Sequence, residues 1–356
     1  MAANITYHEQ TDMDNIRKLR EVLKTLPAFA KDYFRAIEPT TSTKTRISYA
    51  YDIRIFFQFL ISQNPSLAKI GIPNLNVSVL DQLKPIDIEE YMEYLKLYDS
   101  PNDQTTITNG ERGLKRKISS LRSFYTYYYK RQAIETNPVQ LVDMPKIHDK
   151  AIIRLDAGET AALLDYIEHC GDQLTGQRKA YYEKTKLRDL AIVTLLLGTG
   201  IRVSECVGLD VEDIDFRNNG IRLIRKGGSE MVVYFGPEVE KALKAYLEAR
   251  KAISPLEGHE HALFYSTQRK RIGVQAVENL VKKYARAITT TKKITPHKLR
   301  STYGTTLYQE TGDIYLVADV LGHKDVNTTK KHYAAMDDAR RRKAATAIRL
   351  REDYED

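Results

Sequence analysis

Arg202, Lys226, His297, Arg300, His323 and Tyr333 follow one another in the second half of the chain. Their side chains are those that phosphodiester transfer without a metal requires. Non-bridging phosphate oxygens carry charge that shifts in the transition state, and an arginine fork matches two of them. An in-line nucleophile, a base beside it and an acid for the departing oxygen complete the set. Arg202 comes just after Gly198-Thr199-Gly200-Ile201, where a strongly apolar stretch stops, and Glu205 stands one turn further on as a brace. His297 and Arg300 are spaced to share one helical face. Lys226 precedes Gly227-Gly228, a hairpin tip, and His323 follows Leu321-Gly322, a helix stop.

Each position also has an ordinary reading. Arg202 is a loop arginine, His297 and Arg300 a solvated helix face, and His323 a partner for a helix dipole. Lys226 is a solubilising charge or a phosphate contact, and Tyr333 is one of 23 tyrosines. His297, His323 and His332 together suggest a metal site, but no carboxylate or cysteine lies beside them at ligand spacing. No cofactor is called for.

The elements that must position these residues are mostly helices. Residues 12–37 read as a helical prefix, broken by Pro39 and the threonines up to Thr45. Ala50, Ile53, Phe57 and Leu60 then repeat at helical spacing, as do Ile88, Met92 and Leu95 after Pro85. Residues 105–131 read as one long helix or a helix pair, with Lys115, Arg116, Lys117, Arg122, Lys130 and Arg131 interleaved among Phe124 and several tyrosines. The first half is therefore an all-helical domain of four or five helices. Asn137-Pro138 ends it, and an exposed linker runs to Arg154. Further on, helices are expected over 156–170, 186–197, 237–252 and 274–288, with a hairpin of 221–225 and 231–235. Thr295-Pro296 opens another helix, followed by short ones over 313–321 and 327–335. A charged helix over 337–356 closes the chain.

Composition narrows the class. The 356 residues carry a net charge of +8, which favours an anionic partner, and 42% are hydrophobic, enough for two cores. Cys170 and Cys206 have no cysteine neighbours, so neither a disulfide framework nor a zinc motif is expected. The start of the chain lacks a signal-peptide pattern and no segment is apolar for membrane length, so a cytoplasmic location with no membrane association is expected.

Order and spacing add what single residues lack. Gly200-Ile201-Arg202-Val203-Ser204-Glu205, Lys226 in a hairpin, His297-Lys298-Leu299-Arg300, Leu321-Gly322-His323 and Tyr333 together resemble the signature of the tyrosine recombinases of phage-integrase type. The resemblance spans 155 to about 335, and the helical first half looks like that family's core-binding domain. It implies a mainly α fold: an N-terminal helical extension (1–40), a helical DNA-binding core domain (41–137), a linker (138–154), a mixed α/β catalytic domain with a small sheet (155–336), and a C-terminal helix (337–356) exchanged between protomers. It also implies roles. Arg202 and Arg300 would clamp the scissile phosphate, with His297 and His323 donating to it, and His297 assisting the nucleophile. Lys226 would protonate the 5′ oxygen, and Tyr333 would attack to give a 3′-phosphotyrosyl link. Partners would be double-stranded DNA with a specific site and three further copies in a tetramer.

The chain departs from the common pattern at Ser301, where a histidine is frequent, and in a longer stretch over 171–184. Its length and that insertion are similar to the single-recombinase Xer group of streptococci and lactococci, which implies chromosome dimer resolution. A mobile-element integrase, a non-catalytic DNA-binding regulator and a type IB topoisomerase remain open alternatives. Among DNA contacts, Lys115, Arg116, Lys117 and Arg122 are expected to meet phosphates, which adds salt dependence without reading sequence.

Overall fold

The computed structural model describes residues 6–99, 105–148, 152–225, 230–323 and 325–326. Two compact units divide the chain, Met1–Lys150 and Ala151–Asp356. Lys226, Tyr333 and the helices expected over 327–335 and 337–356 lie outside the described residues.

In the first unit, Thr6 and Glu9 form a reciprocal capping box that starts α1 (Tyr7–Leu23). The expected prefix is two helices rather than one, with α2 at Ala30–Ala36. Pro27 lies in the break, where it removes an amide and disfavours helix at the residue before it. Leu19 and Val22 of α1 and Tyr33 and Phe34 of α2 are buried in the same core as Ile53, Phe56 and Phe57 of α3 (Thr43–Gln63). Next come α4 (Pro65–Ile70) and α5 (Pro85–Tyr94), each opening with proline at its first turn.

The long helix expected from Thr105 begins later. Thr106-Ile107-Thr108 is a strand, β2, paired antiparallel with β1 (Leu97–Asp99). β-branched residues favour extended backbone, and Asn109-Gly110 separates them from α6 (Glu111–Lys130). One face of α6, with Leu114, Ile118, Leu121, Phe124, Tyr125 and Tyr128, is buried. The short helix α7 (Pro138–Leu141) follows, and Val139 and Val142 join the first unit's core, so part of the stretch expected as linker is packed. The described residues of this unit therefore hold seven α-helices, more than the four or five expected, because short proline-started turns were not counted.

The second unit is built round α9 (Gly176–Thr199), which follows α8 (Ala157–His169). The helix expected from Lys186 starts ten residues earlier than its apolar stretch, since residues 176–185 form a polar first half. Gly198, expected in the stop, lies inside the helix, where a Cβ would come within 2.4 Å of Val239. The stop is Gly200, in the left-handed region at φ 62°. Then come α10 (Val203–Gly208), β3 (Ile214–Asp215), β4 (Gly220–Ile224) and β5 (Glu230–Tyr234). The strands form an antiparallel sheet in the order β3-β4-β5, with Ile221 opposite Val233 and Leu223 opposite Met231. β3 was not expected, being two residues long. Four helices follow: α11 (Pro237–Arg250), α12 (Val274–Ile288), α13 (Pro296–Thr311) and α14 (Ile314–Leu321).

α8, α11 and α13 pack on α9, whose Ile192, Val193, Leu195 and Leu196 are fully buried. A polar network is enclosed with them. Arg188 donates to Asp189 and to the Tyr265 carbonyl, and the Tyr284 hydroxyl donates to the other Asp189 oxygen at 3.0 Å. Burial alone would lower the Arg188 pKa, but the adjacent Asp189 raises it. The fold is mainly α with small antiparallel sheets. No described helix is long and apolar enough to cross a membrane.

Candidate active site

Four of the six singled-out side chains lie in the described part of the second unit: Arg202, His297, Arg300 and His323. Their positions follow from two left-handed glycines. Gly200 ends α9 and reverses the chain into α10, with its amide bonded to the Leu196 carbonyl at 3.1 Å. Gly322 ends α14 at φ 61°. The Gly322 amide reaches Asp319 O at 2.7 Å and the His323 amide reaches Ala318 O at 2.9 Å, the two bonds of a Schellman motif. His323 is thus fixed at the residue after the turn, half-buried.

That motif satisfies the carbonyls of 318 and 319. The last two helical carbonyls and the one after them, left orphaned by any helix end, are taken by three arginines from three different elements. Arg225, just beyond β4, donates Nη2 to Val320 O at 2.9 Å. Arg300 of α13 donates Nη2 to Leu321 O. Arg202, at the N-cap of α10, donates Nη2 to Gly322 O at 3.4 Å. The negative end of the α14 dipole gathers three guanidinium groups round His323.

Two of the arginines are further held. Glu205, buried and in the first turn of α10, accepts the Arg202 amide at 2.7 Å and Arg202 Nη1 at 2.8 Å, so one carboxylate fixes both ends of that residue. This is the brace expected from sequence. Arg300 is 5% exposed and also donates Nη1 to Gly200 O at 2.5 Å. It therefore joins the stop of α9 to the stop of α14. His297 is one turn before it on α13 and is exposed.

Arg225 was not singled out from sequence. Burial lowers its pKa; Glu205 acts in the opposite sense, and Arg202 adds to the lowering. A signal existed: Ile221 and Leu223 of β4 are buried, and alternation puts residue 225 on that same inward face. A cleft of about 370 Å³ opens here, lined by Arg225, Glu230, Met231, Asp319, Gly322 and His323. Among the described residues no group of three or more His, Cys, Asp or Glu is arranged to hold a metal ion.

The residues expected to meet DNA from α6 are placed differently from one another. Lys115 is exposed. Arg116 pairs with Asp52, a carboxylate only 2% exposed. Lys117 is buried and donates to Asn109 Oδ1 at 2.9 Å, and burial lowers its pKa. Arg122 donates to the carbonyls of Val139 and Val142 at 3.2 and 2.9 Å. In this arrangement Lys117 and Arg122 serve the first unit's own packing, because they fall on or beside the apolar face of α6; only Lys115 and the half-exposed Arg116 face outward.

The model of the phage integrase family matches residues 154–340. The chain is 33% identical over 337 residues to the tyrosine recombinase XerC of Caldanaerobacter subterraneus subsp. tengcongensis, covering 91% of this chain and 87% of that protein. It is 30% identical over 335 residues to the tyrosine recombinase XerS of Streptococcus equi subsp. zooepidemicus strain H70, covering 88% and 93%. Among solved structures, the Tn1549 transposon integrase in complex with transposon right end DNA shares the fold at TM-score 0.62 and 21% identity, covering 89% of this chain and 98% of that one. The XerH site-specific recombinase bound to a palindromic difH substrate does so at TM-score 0.60 and 19% identity, covering 85% and 79%. With the ordered arginine and histidine positions and the α9 and α14 turns that hold them, these likenesses show that the chain belongs to the phage integrase, or tyrosine recombinase, family of DNA strand-exchange enzymes, which use a tyrosine nucleophile.

Proposed function

We propose that this chain cuts and rejoins DNA at a specific site with Tyr333 as its nucleophile, and that it acts in resolving chromosome dimers. The observation that carries the chemistry is the gathering of Arg202 and Arg300 on backbone carbonyls at the end of α14, beside His323. Guanidinium groups held in advance round one point stabilise charge on a phosphate at little reorganisation cost. Arg202 and Arg300 bind the non-bridging oxygens of the scissile phosphate, and His297 and His323 donate to it, His297 also drawing the proton from the nucleophile. Tyr333 forms the bond to phosphorus. The bond to the 5′ oxygen breaks, and Lys226 supplies the proton to that leaving oxygen. A 5′-hydroxyl from another strand then reverses the step, so the bond energy stays in the 3′-phosphotyrosyl link and no ATP or metal is needed.

The domain roles follow the same reading. Residues 41–137 form the core-binding domain, preceded by the extension 1–40 and joined through 138–154 to the catalytic domain 155–336. Residues 337–356 dock on a neighbouring copy in a cyclic tetramer on DNA. The chromosomal role is supported by the relatives named XerC and XerS, which match most of the chain.

The chemistry is tested with a nicked suicide duplex carrying half-sites selected from a random DNA pool. A covalent adduct that migrates with the protein and disappears in Tyr333→Phe is expected; no adduct, or one that survives in Tyr333→Phe, sinks the reading. Removing residues after Ala335 should abolish synapsis, and wild-type synapsis would refute the exchanged helix. A deletion strain should accumulate unsegregated chromosomes that vanish when homologous recombination is also blocked. Normal segregation would leave a mobile-element role as the better reading.

A further inference from the structure

The contact made by Arg225 has no place in the roles above. Its Nη2 donates to Val320 O, and its guanidinium packs against Gly322: a Cβ there would stand 1.2 Å from Arg225 Nη1 and 2.1 Å from Cζ. Glycine at 322 therefore does two things, adopting φ 61° and leaving room for this guanidinium. Arg225 Nε is buried with no hydrogen-bond partner among the described residues. An apolar side chain would fill that space without stranding a donor, so what arginine adds is the bond to α14. Arg225 closes the end of β4, whose Ile221 and Leu223 are anchored in the core, and the next residue in the chain is Lys226.

We propose that Arg225 is a positioning residue, tying the end of β4 to the C-terminal turn of α14 so that the approach to Lys226 and the turn carrying His323 are held as one piece. The proposal rests on the reading of Lys226 as the acid that protonates the leaving oxygen. Arg225 touches neither DNA nor nucleophile in this role; it acts through its neighbour. Removing the tie lets the hairpin and the α14 turn part, and the proton donor is then misplaced while phosphate binding by Arg202 and Arg300 persists.

The test compares two leaving groups in the full-length protein. One suicide duplex carries the natural 5′ oxygen at the scissile bond and the other a 5′ bridging sulfur. In both, a Tyr333 Oη–P bond forms as the bond to the leaving atom breaks with its electron pair. Oxygen needs a proton to depart; sulfur leaves as a thiolate without one. A positioned general acid contributes at least about 100-fold, so Arg225→Ala and Lys226→Ala should each slow cleavage at oxygen by about that factor, yet cleave at sulfur within about threefold of wild type. Wild-type cleavage at sulfur also shows that the variant is folded and binds DNA. If Arg225→Ala is slow with both substrates while Lys226→Ala is restored by sulfur, Arg225 acts on the phosphate or the fold and the proposal is overturned. It is likewise overturned if Arg225→Ala cleaves oxygen at the wild-type rate. If Lys226→Ala is not restored by sulfur, the general-acid reading of Lys226 fails, and the proposal with it.

Discussion

Alanine at Gly200 is expected to damage both stability and catalysis. The backbone there sits at φ 62°, and a Cβ would lie 2.3 Å from Tyr303 Cδ1 and 3.0 Å from Leu321 Cδ2. The left-handed conformation costs a side-chain-bearing residue about 1–2 kcal/mol. Forcing a methyl group against two packed side chains adds about 1–3 kcal/mol, and the stiffer unfolded chain returns about 0.4–1 kcal/mol. The net loss is about 2–4 kcal/mol, which lowers the transition of a unit of this size by roughly 5–15 °C. Catalysis suffers separately. Arg300 donates to Gly200 O and to Leu321 O, so straining the backbone at Gly200 and pushing Leu321 aside shift both supports of one guanidinium. A displacement of about 1 Å can cost about 100-fold. Scanning calorimetry and covalent-adduct formation well below the transition read the two effects. Gly236→Ala is the control: its φ is −86° and nothing lies within 4 Å of its Cβ, so a change within about 0.5 kcal/mol is expected. If Gly200→Ala melts and cleaves like wild type, the turn is not held as described and the argument from Arg300 falls with it.

Three further outcomes are expected. Burial raises the Asp52 carboxyl above 3.8 against the pull of Arg116 and Lys117, so its ionised form opposes folding: stability from this site rises as pH falls through the folded value towards 3.8. Asp52→Asn should lose that slope in denaturant titrations and unfold at or above the wild-type midpoint at pH 7, whereas Arg116→Ala, leaving the carboxylate unpaired, should cost about 1–2 kcal/mol. A lower midpoint for Asp52→Asn would contradict this. His261 bonds Glu212 at 2.8 Å, which raises the histidine and helps to lower the glutamate. The histidine's contribution is whole below 6.5 and fades as pH rises through its folded value, while that of Glu212 fades as pH falls through its own; His261→Asn should therefore differ most from wild type near pH 6 and least above pH 8, and a pH-independent difference would count against the pair. Burial pushes Cys206 up to about 12 and raises Cys170 as well, so both thiols should resist alkylation at pH 8 until the chain is unfolded, as mass spectrometry would show.

Much of the framework of the candidate site was legible because its helix starts and stops are marked by local chemistry. Gly200 and Gly322 announce helix stops, Pro296 announces a helix start, and the His297–Arg300 spacing places both on one side of α13. Glu205 was readable as a brace because a carboxylate in the first helical turn reaches back to the N-cap. What escaped notice depends on distant partners. The β1-β2 pairing is three residues per strand, too short for alternation to stand out. From sequence Arg122 and Lys117 are expected to meet phosphates, because nothing local shows that Val139, Val142 and Asn109 fold back to receive them. Arg225 was hidden by its type, since an arginine beside a glycine-rich tip looks like a surface charge.

The three arginines explain one another better than any does alone. A guanidinium bound to a carboxylate has its charge largely neutralised, whereas one bound to a backbone carbonyl meets only a partial charge and keeps most of its own for an anion. Using the α14 carbonyls therefore orients Arg225 and Arg300 at little electrostatic expense, while Arg202, though also on that turn, has part of its charge offset by Glu205. It also makes them interdependent. Each draws on the same turn, so a shift of α14 moves all three and His323 together. Lysine would not serve in their place: a single ammonium can reach one carbonyl, but it lacks the flat fork that lets Arg300 span Gly200 O and Leu321 O. The end of one eight-residue helix thus sets the geometry of groups drawn from α10, β4 and α13, and a perturbation of that end should be felt as a loss of catalysis before it is felt as a loss of fold.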